Sequence, residues 1–254
     1  MEARFLVHSW CEVAGYTDLG KVRPENQDAF LMEVLREDLL LIAVADGMGG
    51  HRGGSTASRM AIEGLQQAKD RLAGEGATFA LEEVVRGINA SIFLAAQEDP
   101  SLFGMGTTLT VALVSPQRAW VAHVGDSRLY RLRGDLIERQ TEDDSLVASL
   151  VREGYLSHQE AQEHPWRHYL TKAIGTQPEV EPQILEVALE PGDMLLLCSD
   201  GLTLHLHEEE ILDLVLEERD LQRVGARMVE RANERGGSDN ITVVLLRLKE
   251  GETL

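Results

Sequence analysis

Four aspartates stand beside apolar segments whose composition predicts β-strands. Asp46, Asp126 and Asp200 follow such segments, and Asp239 precedes another. Each one alone is most simply a turn residue, because aspartate is disfavoured within strands and common in the turns beside them. If the strands are neighbours, however, several carboxylates meet, and their mutual repulsion requires cations. Oxygen ligands with few histidines favour magnesium or manganese over zinc.

A glycine-rich stretch begins at the first of these residues, Asp46-Gly47-Met48-Gly49-Gly50. Glycines allow a sharp turn there and expose the carbonyl of Gly47 as a further oxygen ligand. The stretch has neither the Gly-Lys-Ser/Thr sequence of a phosphate-binding loop nor a Gly-x-Gly-x-x-Gly opening in a strand-helix-strand unit. The pattern therefore disfavours nucleotide binding.

The elements that must position these residues are predicted from hydrophobic periodicity. Runs rich in Val, Ile and Leu predict strands over 28–34, 39–45, 107–114, 119–124, 128–131, 193–198 and 241–248. Apolar stripes at helical spacing predict helices over 57–72, 81–95, 208–218 and 221–235. The pair Gly236-Gly237 then closes the last helix.

The order of these elements is not the regular strand-helix alternation of a doubly wound parallel sheet. It fits sheets that are covered by helices on both outer faces. No linker or repeat divides the chain, so we expect a single domain over 1–254. Residues 140–182 are polar, with a capping box from Ser157 to Glu160 and a break at Pro165, and they predict an inserted helical flap.

Composition and charge exclude several classes of partner. The 43% of hydrophobic residues suffices for a large core, and the net charge of -19 repels nucleic acids and anionic membrane surfaces. The longest apolar run, 39–45, is far shorter than the roughly 20 residues that span a bilayer. No secretory signal is present, so we expect a cytoplasmic protein. Cys11 and Cys198 give no disulfide framework.

Seven motifs, taken in order, resemble those of the metal-dependent protein phosphatases, also called the protein phosphatase 2C family, and of its bacterial branch in particular. They span about residues 15–248. The motifs are Thr17-Asp-Leu-Gly-Lys-Val-Arg23-Pro-Glu-Asn-Gln-Asp28, Ala45-Asp-Gly-Met-Gly-Gly-His51, Gly106-Thr-Thr108, Val124-Gly-Asp-Ser-Arg-Leu-Tyr130, Leu170-Thr-Lys-Ala-Ile-Gly175, Cys198-Ser-Asp-Gly-Leu202 and Ser238-Asp-Asn-Ile-Thr242.

This resemblance implies an α+β fold, a four-layer αββα sandwich of two antiparallel β-sheets flanked by helices. It also implies a serine/threonine protein phosphatase that hydrolyses phosphoserine and phosphothreonine esters with a water activated by a dinuclear manganese or magnesium centre. The expected partners are phosphorylated proteins and a cognate serine/threonine kinase. Nothing in the sequence demands more than a monomer.

The resemblance further implies roles for individual residues. Asp46 bridges two ions, and the carbonyl of Gly47 completes one site. Arg23 binds the substrate phosphate, a role that suits its forked and permanently charged guanidinium. The other implied ligands are Asp200 and Asp239 for the second ion, Asp28 through water, and Asp126 with Asp200 for a third, weaker site.

The chain departs from the family pattern at three places. Met48 stands where many relatives have a histidine after the Asp-Gly pair, so metal-bound water and His51 both stay open as proton donors to the leaving group. Leu204 replaces an aspartate often found four residues after the Asp200 position, which weakens the third metal site. The flap reads Asp143-Asp144-Ser145 where relatives often have Asp-His-Ser.

Three other functions compete with this hypothesis. A non-catalytic module of the same fold could bind phosphoproteins, but the main metal ligands and Arg23 are present. A related phosphatase group acts on regulators of transcription factors by the same chemistry and differs only in substrate. A serine hydrolase is the weakest alternative, because the sequence has no Gly-x-Ser-x-Gly motif.

Overall fold

The computed structural model describes residues 1–74 and 76–250. Its strands are β1 (Glu2–Val7), β2 (Cys11–Asp18), β3 (Asp28–Arg36), β4 (Leu39–Met48), β5 (Gly106–Thr107), β6 (Leu109–Ser115), β7 (Arg118–Val124), β8 (Arg128–Arg133), β9 (Leu136–Arg139), β10 (Gln183–Ala188), β11 (Met194–Cys198) and β12 (Ile241–Leu248). Its helices are α1 (Gly50–Gln67), α2 (Lys69–Leu72), α3 (Ala77–Glu98), α4 (Leu146–Arg152), α5 (His158–Glu163), α6 (Asp200–Thr203), α7 (Glu208–Glu217) and α8 (Leu221–Glu234), with a single 3-10 turn at Pro100–Leu102.

The strands form two antiparallel sheets. The first sheet has the order β1-β2-β12-β11-β8-β9, and the second has the order β10-β7-β6-β4-β3, with β5 paired to the end of β4. Three buried hydrophobic clusters fill the spaces between the layers. One lies between the second sheet and α1 and α3, one lies between the first sheet and α7 and α8, and one lies between the sheets. The predicted four-layer αββα sandwich is confirmed.

Strand β4 has an uninterrupted apolar sequence from Leu39 to Ala45. Successive side chains of a strand point to opposite faces. Leu41 and Ala43 therefore pack toward the helices, whereas Leu40 and Ile42 pack toward the other sheet. Because both faces of the strand are covered, both sets must be apolar.

All seven predicted strands are present, although the one predicted over 107–114 is divided into β5 and β6 at Thr108. Strands β1, β2, β9 and β10 were not predicted from the sequence. Strands β1 and β10 carry mostly exposed or half-buried residues, so they show no apolar run. In β2, Gly15 interrupts the apolar run. It lies against the ring of Phe30, where an added Cβ would be 2.4 Å from the nearest ring carbon.

The predicted helices are confirmed with shifted ends. The helix predicted over 57–72 begins seven residues earlier, after Gly49 in the left-handed region, and is interrupted at Ala68. Gly236 and Gly237 follow α8 with φ of 131° and 51°, as a glycine cap requires. Within 140–182 the structure has α4 and α5, and the capping box of Ser157 and Glu160 is formed. Among the helices of the described ranges, none has the length and hydropathy needed to cross a membrane.

Candidate metal centre

Two of the predicted ligands lie opposite each other in the second sheet. Asp28 opens β3, and its antiparallel partner in β4 is Asp46. The backbone of Asp46 is held from the other side, because its N–H donates to the Thr108 hydroxyl at 3.0 Å and its carbonyl accepts from the Thr108 N–H at 2.8 Å. The two carboxylates are therefore fixed as neighbours by strand pairing.

The first sheet contributes two more aspartates at the ends of neighbouring strands. Asp200 follows β11 as the first residue of α6, and Asp239 precedes β12. Gly201 allows these two segments to approach closely, since a Cβ there would lie 1.9 Å from the backbone oxygen of Asn240. Only glycine fits at that contact.

Ser199 connects the two sheets at this edge. Its hydroxyl donates to Asp28 Oδ2 at 2.8 Å and accepts from the Thr242 N–H at 3.0 Å. Its own N–H donates to the Thr242 carbonyl at 3.0 Å. A single serine at the end of β11 thus fixes the position of an aspartate that the other sheet supplies.

Asp126 lies in the turn between β7 and β8. Gly125 has a φ of 111°, which L residues with a side chain rarely adopt. The next residue, Ser127, shares a hydrogen bond of 2.7 Å with the hydroxyl of Thr108. Because Thr108 also holds the backbone of Asp46, the turn that carries Asp126 and the end of β4 share one anchor.

The segments that carry these aspartates line one cavity of about 490 Å³. The predicted site residues on its wall are Arg23, Asp46, Gly47, Asp126, Asp200 and Asp239. Asp28 instead lines a neighbouring cavity of about 500 Å³, and both cavities have Glu25 in their walls. Arg23 is half exposed and donates from Nη2 to Asp239 Oδ2 at 2.7 Å. The structure thus brings the predicted residues together at one edge of the sandwich.

Burial and mutual repulsion raise the pKa of three of these carboxyl groups. The pKa of Asp28 is raised from 3.8 to about 7, mainly by burial and also by the charges of Asp200 and Asp239, while hydrogen bonds from Thr242 and Ser199 oppose the rise. Burial raises the pKa of Asp46 and of Asp126 well above the usual value, and neighbouring carboxylates add to both shifts. The protein without cations therefore holds protons that cations would displace.

The donor set fits hard divalent cations. Asp28 Oδ1 and Asp200 Oδ1 are buried, and neither has a hydrogen-bond partner. Unsatisfied buried carboxylate oxygens are costly unless a cation contacts them. Over residues 1–74 and 76–250, no three His, Cys, Asp or Glu side chains lie close enough together to form a complete metal site. Such spacing is expected of like charges that repel each other around a cavity.

One cavity residue was missed by the sequence analysis. His168, from the predicted flap, lines the cavity with its Nδ1 3.9 Å from Asp200 Oδ2. A polar loop without periodicity does not indicate which of its side chains faces a site. Met48 also lines the cavity, whereas Leu204 directly follows α6 without lining it. The side chain of His51 lies outside the part of the chain that the structure describes.

Comparison with known proteins agrees with the motifs. The family model for protein phosphatase 2C matches residues 21–245. Serine/threonine phosphatase Stp of Listeria innocua is 38% identical over 234 residues, which cover 91% of this chain and 93% of that protein. Protein phosphatase PhpP of Streptococcus pneumoniae is 39% identical over 242 residues, covering 94% and 98%.

Solved structures show the same architecture. The crystal structure of the Mycobacterium tuberculosis serine/threonine phosphatase PstP/Ppp has a TM-score of 0.87 and 37% identity, covering 95% of this chain and all of that one. The catalytic domain of PstP in complex with two manganese ions has a TM-score of 0.84 and 36% identity, covering 95% and 99%. The chain belongs to the protein phosphatase 2C family. This confirms the enzyme class that the motifs predicted, a metal-dependent protein phosphatase.

Proposed function

We propose that this protein hydrolyses phosphoserine and phosphothreonine esters of proteins, using two manganese or magnesium ions held by the converging aspartates. The observation that carries the proposal is the single cavity whose wall combines Asp46, Asp126, Asp200 and Asp239 with Arg23. The names of the similar proteins, all serine/threonine phosphatases or protein phosphatases, support the reaction. The two manganese ions of the PstP domain support the cofactor.

The proposed ligands follow the motif positions. Asp46 would hold both ions, with the Gly47 carbonyl as a further ligand of one ion and Asp200 and Asp239 as ligands of the other. Asp28 would act through water, and Asp126 would join Asp200 at a third, weaker site. When bound, such ions lower the pKa of a water and offset charge on the phosphoryl oxygens.

Arg23 receives the phosphate in this proposal. Asp239 engages only its Nη2, and the guanidinium lines the cavity. The fork therefore has further N–H donors for two phosphoryl oxygens. Its charge also attracts a dianionic ester into a cavity whose wall is otherwise acidic.

His168 supplies the proton that the leaving seryl or threonyl oxygen needs. Met48, at the position where many relatives carry a histidine, cannot donate one. His168 is the imidazole that the described residues place on the cavity wall, half exposed to solvent. The imidazole can hand a proton from Nδ1 or Nε2 to the departing oxygen.

The remaining expectations belong to the same proposal. The chain is a single domain over 1–254 with a flap at about 140–182. It acts in the cytoplasm as a monomer opposite a serine/threonine kinase, and it binds neither nucleic acid nor membrane. The net charge of -19 supports the last point, because it repels polyanions.

Phosphate release from a phosphothreonine peptide tests the proposed function. The purified protein is assayed with manganese, with magnesium and with excess chelator. We expect turnover with either metal and none with chelator. A folded protein that releases no phosphate under any condition would instead favour the non-catalytic phosphoprotein-binding module.

A further inference from the structure

Asp144 lies where three segments of the chain meet. Its N–H donates to the Gly125 carbonyl at 2.7 Å, and its carbonyl accepts from the Thr171 N–H at 2.7 Å. Its carboxylate accepts from the Gly125 N–H at 3.1 Å through Oδ2, and Oδ1 lies 3.4 Å from Lys172 Nζ. One residue therefore joins both ends of the flap segment 145–170 to the turn before Asp126.

These contacts form the base of the flap. Just inside them, Ser145 and Leu170 pair in an isolated bridge, and the Leu146 N–H donates to the Tyr169 carbonyl at 2.8 Å. The flap body between these ends carries His168 and Leu170 on the cavity wall. The contacts of the base therefore determine the positions of the His168 and Leu170 side chains.

The flap body also presents a surface that suits a polypeptide. The aromatic side chains of Tyr155, Trp166 and Tyr169 are 73%, 55% and 67% exposed. Exposed aromatic side chains are typical of surfaces that bind other chains, and Tyr169 lies between the cavity residues His168 and Leu170 in the sequence. A polypeptide extends beyond its phosphate far enough to contact residues around the cavity, whereas a small aryl phosphate does not.

The two neighbouring aspartates of the base differ in their surroundings. Asp143 is 10% exposed and receives two N–H groups of Arg128, a largely buried pair that holds the fold. Lys172, the partner of Asp144, is 48% exposed. Exposed ion pairs contribute little to stability. The Asp144–Lys172 pair is thus suited to holding a loop in place more than to stabilising the domain.

We propose that Asp144 is a positioning residue that, together with Lys172, latches the base of the flap and so presents its cavity face to polypeptide substrates. The inference rests on the proposed phosphatase function and deepens it by assigning a residue to substrate selectivity. Asp144 acts through the flap and does not contact the reacting atoms. This chain has an aspartate here where the family pattern often has a histidine.

Three variants and a matched control test the latch. Asp144→Asn keeps an oxygen for the Gly125 N–H and removes the charge that faces Lys172, Lys172→Met removes the other charge, and the third variant combines both. Glu142→Gln is the control, since its exposed carboxylate pairs with the exposed Arg152 at 3.1 Å. Each protein is assayed with manganese on a phosphothreonine peptide and on p-nitrophenyl phosphate.

For both single variants we expect kcat/KM on the peptide to fall by about tenfold, with KM raised because a misplaced binding loop weakens substrate positioning and kcat lowered because His168 moves with the flap. Turnover of p-nitrophenyl phosphate should stay within about twofold of wild type. The double variant should be no worse than the poorer single variant, because both substitutions remove one interaction. The control should match wild type on both substrates. Equal losses on the two substrates, or an equal loss in the control, would overturn the latch.

Hydrogen exchange of residues 145–171 in the metal-free protein supplies a readout independent of turnover. We expect faster exchange there in Asp144→Asn and Lys172→Met, with the sheets unchanged. Unchanged exchange in the flap contradicts the latch even if the wild type is inactive. Absence of wild-type turnover on both substrates refutes the proposed function instead, so the two failures are distinguishable.

Discussion

The planar guanidinium of Arg23 suits this residue to bind the substrate phosphate. Its guanidinium pairs with Asp239 through Nη2 and lines the cavity with further donors. A lysine there would keep the charge but lose the planar fork that binds two oxygens at once. We therefore predict that Arg23→Lys raises KM for the phosphopeptide by about tenfold with a smaller effect on kcat.

Lys21→Met is the control for this prediction, because Lys21 is exposed and lies two residues away. It removes a positive charge without removing a cavity donor. Steady-state kinetics on both variants give the comparison. An unchanged KM in Arg23→Lys would show that another group binds the phosphate.

His168 provides a second prediction at the level of single residues. A seryl or threonyl oxygen is a poor leaving group and needs a proton, whereas p-nitrophenolate leaves without one. His168→Gln should accordingly lower kcat on a phosphothreonine peptide by about a hundredfold and change kcat on p-nitrophenyl phosphate little. His8→Gln, a partly exposed histidine outside the cavity, is the control. Equal losses on both substrates would rule out proton donation by His168.

At the scale of elements, strand ends and the loops after them bring the site together. Gly201 lets α6 lie against the segment before β12, with the Asn240 carbonyl 1.9 Å from where a Cβ would be. We predict that Gly201→Ala forces Asp200 and Asp239 apart, lowers the free energy of unfolding by roughly 1–3 kcal/mol and reduces activity.

Gly87→Ala is the matched control, since Gly87 lies within α3 and an added Cβ meets nothing within 4 Å. Alanine is the better helix former, so this variant should be more stable by up to about 1 kcal/mol. Thermal or urea unfolding measures both changes. A Gly201→Ala protein as stable as wild type would mean that the two segments separate without cost.

Periodicity was sufficient to predict most of the central strands and the long helices, but not β2, whose buried run contains Gly15. Strands β4, β11 and β12 are apolar on both faces, because each lies between a helical layer and the other sheet. The edge strands β1 and β10 escaped detection, because their exposed positions do not need apolar residues. Short-range patterns therefore report burial better than they report strand pairing.

The candidate site was predictable in part for a related reason. Asp46 lies near the end of the buried strand β4 and Asp200 follows the buried strand β11, so their sequence context indicates where they lie. His168 belongs to a loop whose direction depends on Asp144 and on the pairing of Ser145 with Leu170. Such tertiary contacts leave no local pattern, and the residue emerged only from the structure.

At the scale of the whole molecule, the acidic cluster makes stability depend on pH and on metal. The pKa of Asp28 is raised to about 7 by burial and by the charges of Asp200 and Asp239, and the pKa values of Asp46 and Asp126 are also raised. A folded protein with raised carboxyl pKa values holds protons that the unfolded chain has released. Its stability without metal must fall as the pH rises from about 4 to about 7.

Thermal unfolding in excess chelator tests the predicted fall of stability with rising pH. We predict a midpoint that falls between about pH 5 and about pH 7.5 in the wild type and falls less in Asp28→Asn. Saturating manganese should raise the midpoint most at the higher pH, because cations replace the protons. A wild-type midpoint that rises with pH over this window would contradict the proposed repulsion.

The aspartates at the shared edge of the two sheets make one further prediction, about the ions themselves. Calorimetric titration of manganese into the metal-free protein tests the proposed dinuclear centre most directly, with Asp46→Asn as the variant and the exposed Asp135→Asn as the control. We predict about two ions per chain for wild type and control, and weaker binding of both ions to Asp46→Asn, together with a fall in phosphate release of roughly a thousandfold. Wild-type protein that binds no manganese, or an Asp46→Asn protein that binds and turns over as the wild type does, would contradict the proposed centre.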